Sequence, residues 1–150
     1  MVGPAGPTGP AGPALATMFA SASLTTNYFL WPGMYVPLST PGATSNAIVD
    51  PVMGTILLGG NGTASTFRVA VGAAASEQCK VEVLVNDVAQ PALTFGSSYY
   101  YGGQFAGEAL VTIPDNAVIR LRVAGYSYCD LGMYDGGAGN RAFLTVMKIN

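Results

Sequence analysis

With no histidine among its 150 residues, the chain lacks the side chain that most often serves as a general base and the commonest protein metal ligand. Ionisable chemistry then rests on eight carboxylates, Asp50, Glu77, Glu82, Asp87, Glu108, Asp115, Asp130 and Asp135, and on two thiols, Cys79 and Cys129. Most of these carboxylates fall in turn sequences or at outward positions of alternating segments. The one local cluster is in "CDLGMYDGGAGN", where Asp130 and Asp135 flank a glycine-rich loop. Their oxygens could serve calcium, but the spacing lacks the alternating ligands of a compact calcium loop, so a solvated loop is expected. A Ser/His/Asp arrangement cannot be assembled, and a cysteine nucleophile would have no histidine to activate it. No catalytic residue, metal or cofactor is therefore expected, and the chain reads as a non-enzyme. The cysteines match no zinc spacing and are either one disulfide or two buried apolar thiols, which sequence leaves open.

Tyrosine is the other group with a chemical use. In "SSYYYGG", residues 97–103, a strand would turn Tyr99 and Tyr101 to one side and Tyr100 to the other. Rings packed between protomers are expected for Tyr99 and Tyr101, with Tyr100 the candidate for stacking on a ligand. Tyr126, Tyr128 and Tyr134 pose the same choice. Asn61-Gly62-Thr63 fits a glycosylation acceptor but reads as a plain turn.

The elements that must position these groups read as strands. In "STFRVAVG", Phe67, Val69 and Val71 alternate with Arg68 and Ala70; in "CKVEVLVN", Val81, Val83 and Val85 alternate with Lys80 and Glu82. Ile119, Leu121 and Val123 oppose Arg120 and Arg122 in "AVIRLRVAG". Period two argues for half-buried strands, and "MYVPL", "GTILLG", "ALTFG", "GEALVTIP" and "AFLTVMKIN" are further candidates. Turn chemistry separates them at Pro41-Gly42, Gly59-Gly60-Asn61-Gly62, Asn86-Asp87, Pro114-Asp115-Asn116 and Gly136-Gly137. Many short strands without a helical period predict an all-β antiparallel sandwich or barrel.

Composition limits what surrounds this sandwich. Half the chain is apolar and only 9 % is charged, against roughly 25 % in an ordinary soluble domain. No apolar run reaches the roughly 18 residues a spanning helix needs, so no membrane span is expected. Six Lys plus Arg against eight Asp plus Glu, without a basic cluster, gives nucleic acid no electrostatic footing. "GTILLG" and "AFLTVMKIN" are apolar on both faces. Phe143, Thr145, Met147 and Ile149 form one side of the latter and are the expected subunit contacts.

The first residues supply a count of subunits. "GPAGPTGPAGPA", residues 3–14, places Gly3, Gly6, Gly9 and Gly12 at a strict period of three, each followed by proline. In a collagen helix every third residue faces the axis of three polyproline-II chains, where only glycine fits. A flexible Pro/Gly linker is the alternative. Four triplets are too short to hold three chains alone, so residues 1–14 are read as a collagen-like stub and residues 15–150 as the domain that must trimerise it. No basic segment, apolar stretch and cleavage site precede the repeat, as expected of an excised fragment or of a protein that reaches its destination without a secretion signal.

Triplets of this kind, followed by a β-rich region with "VTIPDNAVIRLRVAG" and a final "AFLTVMKIN", resemble the collagen-like surface glycoproteins of bacterial spores. Their exosporium heads share the jelly roll of the tumour necrosis factor and complement globular-head superfamily. The resemblance implies a ten-strand jelly roll, a tight homotrimer, a stalk running towards a spore or cell surface, an exosporium or spore-coat anchoring partner, and sugar on threonines such as Thr8. The expected role is structural, with adhesion to a host surface as an extension. Two rivals remain: a glycan- or receptor-binding head of a phage or bacterial fibre, and a fibre subunit whose stub docks into the next head.

Overall fold

Alternation decides the architecture, because a strand with one apolar face must lay it against another such face. The computed structural model describes residues 2–9, 18–60, 62–75, 78–96, 103–125, 127–131 and 141–149. Twelve strands occur among them: β1 (Phe19–Leu24), β2 (Tyr28–Leu30), β3 (Thr40–Ser45), β4 (Ala47–Asp50), β5 (Thr55–Leu58), β6 (Ser65–Ala75), β7 (Lys80–Val85), β8 (Val88–Gly96), β9 (Gly103–Ile113), β10 (Val118–Ala124), β11 (Cys129–Leu131) and β12 (Ala142–Lys148). All pairings are antiparallel and no helix is present among the described residues.

The strands form two sheets. One is seven-stranded, ordered β2-β11-β6-β12-β1-β3 with β9 on the free side of β6; the other is five-stranded, ordered β4-β5-β10-β7-β8. Between them lie Val69, Val71, Leu144, Val146, Ala20 and Leu24 from the first sheet and Ile56, Val81, Val83, Ile119, Leu121 and Val123 from the second, all buried. Each Val, Leu or Ile side chain among them gains roughly 1.5–3 kcal/mol on leaving water, against the backbone entropy that ordering costs. The β7–β8 hairpin turns through Asn86 and Asp87, both at positive φ, as a two-residue turn of that hand requires.

Three local readings are corrected. "MYVPL" is not a regular strand: Tyr35 forms an isolated bridge to Arg122, with Met34 and Val36 bonded to Val123 and Leu121, and the chain then turns at Pro37, where the Leu38 N–H bonds the Val36 carbonyl at 2.9 Å. Pro41 and Gly42 do not form a turn but lie inside β3, a sheet-edge strand where proline is tolerated. The ten strands implied by the resemblance become twelve, with β2 and β11 as three-residue additions.

The two ends of the seven-stranded sheet differ. At the basal end Lys148 lies opposite Phe67, its N–H bonds the Met18 carbonyl at 2.9 Å, and Ile149 bonds Thr66. Met18 and Ile149 therefore lie at the same end of the sheet. At the distal end β11 continues the line of β12 along β6, with Leu131 opposite Ala75, and β2 continues the direction of β1. Residues 2–9 are exposed and unpaired among the described residues. Gly12 and the boundary at residues 14–15 lie outside the described residues.

Candidate functional site

Two surfaces stand out on the outer side of the seven-stranded sheet. The first is centred on β12, where alternation buries Ala142, Leu144 and Val146 and turns Phe143, Thr145 and Met147 outward. Met147 is 44 % exposed and Ile149, just beyond the strand, 49 %. In register with these residues are Gly72, Ala70 and Arg68 of β6, and beyond them Ala106, Glu108 and Leu110 of β9. On the other side stand Ser23, Ser21 and Phe19 of β1.

Small side chains make this face shallow. A Cβ at position 72 would clash with the edge of the Phe143 ring, so glycine is what lets that ring lie across β6. Beside it is an open hollow of about 400 Å³ lined by Gly72, Ala74, Gln104, Ala106 and Phe143. Arg68 Nε donates to Glu108 at 2.8 Å across β6 and β9, so the charges on this face neutralise one another. Phe143, Thr145, Met147 and Ile149 thus share one outward surface.

The second surface is the distal β2–β11 ribbon. Leu30 and Cys129 are paired and buried, while Phe29 lies opposite Asp130 on the other side. Alternation puts Trp31 and Tyr128, the next residues of each strand, on that same outer side. Phe29 stacks on Tyr128 with centroids 4.4 Å apart, and Trp31 stands across both, 5.4 Å from Phe29 at 77° and 5.6 Å from Tyr128 at 65°. Phe29 is 47 % and Trp31 59 % exposed.

Local sequence holds Trp31 in place. Residues 31–34 form a turn closed by the Met34 N–H to the Trp31 carbonyl at 3.1 Å. Pro32 occupies the second position and Gly33, at φ +89°, the third, which is type II turn chemistry. The Gly33 N–H reaches across to the Val123 carbonyl at 2.9 Å, fastening the turn to the opposite sheet. Beneath the ribbon Cys129 is bonded to Cys79, and the half-exposed Asp130 follows it. Of the four aromatic and acidic groups here, sequence reading weighed Tyr128 and Asp130 and missed Phe29 and Trp31. Their signal was the i, i+2 aromatic spacing in "NYFLWPG" just before a Pro-Gly turn.

The other carboxylates among the described residues are held in structural contacts. Glu82 pairs with Arg122, Asp87 approaches Arg120 at 3.7 Å, Asp50 accepts the Val52 and Met53 N–H groups, and Asp115 accepts from Gly62. Among the described residues no group of three or more metal-ligating side chains occurs, and no helix is long and apolar enough to cross a membrane. Thr8, Gly3, Gly6 and Gly9 are exposed. Tyr99, Tyr100, Tyr101, Tyr126, Tyr134, Asn61, Glu77 and Asp135 lie outside the described residues.

The fold is the jelly roll found in tumour necrosis factor and complement globular heads. Solved structures of that kind superpose over most of the chain. The Eiger TNF from S. frugiperda aligns with a TM-score of 0.63 at 9 % identity, covering 91 % of this chain and 94 % of that one. The globular domain of the zebrafish complement 1qA protein gives 0.58 at 10 %, covering 87 % and 94 %. Rabbit GITRL gives 0.52 at 9 %, covering 89 % and 94 %. No protein-family model and no curated protein sequence matches the chain.

Proposed function

We propose that this chain is the trimer-forming head of a collagen-like surface filament, a structural rather than catalytic protein. The observation that carries it is the outer face of β12, β6 and β9: shallow, nearly uncharged after the Arg68–Glu108 pair, and bounded by the exposed Met147, Ile149 and Leu110. Such a face in water favours association. Its basal edge is where the chain enters at Met18, so three heads packed through it would bring three glycine-proline segments side by side. Proximity then supplies the effective concentration that four triplets lack.

The spore-surface reading extends this. The triplets support a stalk, Thr8 is exposed for a sugar, and an exosporium or spore-coat protein would be the anchoring partner outside the cell. Sedimentation of the purified chain at micromolar concentration tests the core of the proposal. A trimer is expected, and a monomer would refute it.

A further inference from the structure

The β12 face does not account for the distal ribbon, whose three rings lie beyond the end of that strand. Keeping Phe29, Trp31 and Tyr128 partly in water is unfavourable, yet a type II turn, a cross-sheet hydrogen bond and a buried disulfide all fix them there. We propose that Phe29, Trp31 and Tyr128, with Asp130 beside them, form a binding site for a neutral saccharide.

The chemistry follows from the groups present. A pyranose offers one C–H face, which packs on an aromatic ring, and hydroxyls around its edge, which seek acceptors. The Phe29–Tyr128 stack and the indole set across it make a corner of two apolar walls. Asp130, opposite Phe29 on the same side of the ribbon, supplies a carboxylate that accepts two hydroxyl hydrogens. Asp130 is the charged side chain on the outer side of the ribbon, where an anionic sugar would meet a like charge; Arg141 is buried and donates to Asn27 at 3.0 Å, and Lys80 lines a hollow with Pro32, Gly33 and Glu82.

Size argues for a saccharide over a protein. Phe29 and Trp31, about half exposed, and the partly buried Tyr128 together present on the order of 300 Å², whereas a stable protein partner covers roughly 800 Å² on each side. Fixed rings also lose little freedom on binding, which helps a small ligand. That the site lies at the end away from the stalk rests on the head-and-filament reading; saccharide binding itself does not.

Trp31 is the chain's one tryptophan, so its emission reports this site alone. The test is titration of the full chain with methyl glycosides of glucose, galactose, mannose and N-acetylglucosamine to millimolar concentration, with sialic acid for comparison. Sedimentation is read in parallel. A saturable change with at least one neutral glycoside is expected. By isothermal calorimetry, Tyr128→Ala and Trp31→Ala should each weaken that affinity roughly tenfold or more, as loss of a stacked anchor does, while Val88→Ala leaves it unchanged. Absence of binding by every neutral glycoside overturns the proposal, as does binding confined to sialic acid or binding that survives both aromatic substitutions. If Trp31→Ala instead dissociates the trimer, the ribbon is a subunit contact and the proposal fails. A monomeric chain that still binds would refute the trimer and leave the site standing.

Discussion

Cys129 stands between Tyr128 and Asp130, and its bond to Cys79, just before β7, ties the distal ribbon of one sheet to the start of an inner strand of the other. The bond closes a loop of fifty residues, so it restricts the unfolded chain strongly. The double substitution Cys79→Ala with Cys129→Ala is expected to lower the unfolding free energy by about 2–4 kcal/mol in denaturant titration; a loss well below 1 kcal/mol would contradict this. Gly33 is a second single-residue control. Nothing lies within 4 Å of where its Cβ would be, so the cost of Gly33→Ala is conformational rather than steric. About 1–2 kcal/mol of destabilisation is expected from the positive φ, together with altered Trp31 emission as the turn shifts.

β12 separates a core face from an outward one. Leu144 is fully buried between the sheets, and Leu144→Ala should destabilise the fold by roughly 2–5 kcal/mol in thermal or denaturant melts. Met147 and Thr145 face outward, so Met147→Glu with Thr145→Arg should leave far-ultraviolet circular dichroism unchanged while shifting sedimentation from trimer to monomer. If the double variant remains trimeric, the association surface lies elsewhere. The alternation that separates these residues was legible in "AFLTVMKIN", as it was in β6, β7 and β10, because burial of one face imposes period two. The β1–β2 connection was not. Its three-residue strand has no room for a period, and it is held by contacts to β11, which begins some hundred residues later.

For the whole molecule, the order of dependence between stub and head is testable. The apolar face belongs to the head, so deleting residues 1–14 should leave the trimer and its melting temperature nearly unchanged. The repeat as a free peptide should show no cooperative triple-helix transition by circular dichroism, since four triplets bury too little to offset ordering. Loss of the trimer on deletion would mean that the repeat drives assembly.

The sequence by itself determined the class of fold and the period of its strands, because apolar alternation and turn residues act over a few positions at a time. The absence of histidine set the chemical repertoire in the same direct way, and the glycine period carries the proposal of a three-chain helix. Only the tertiary structure decided what depends on distant segments meeting. It bonded Cys79 to Cys129, left β3 at an edge where Pro41 and Gly42 fit, and put Met18 and Ile149 at the same end of one sheet. It also brought Phe29 and Trp31 against Tyr128, nearly a hundred residues away, since side chains of two short strands share a face only when their register is set by the sheet that both extend.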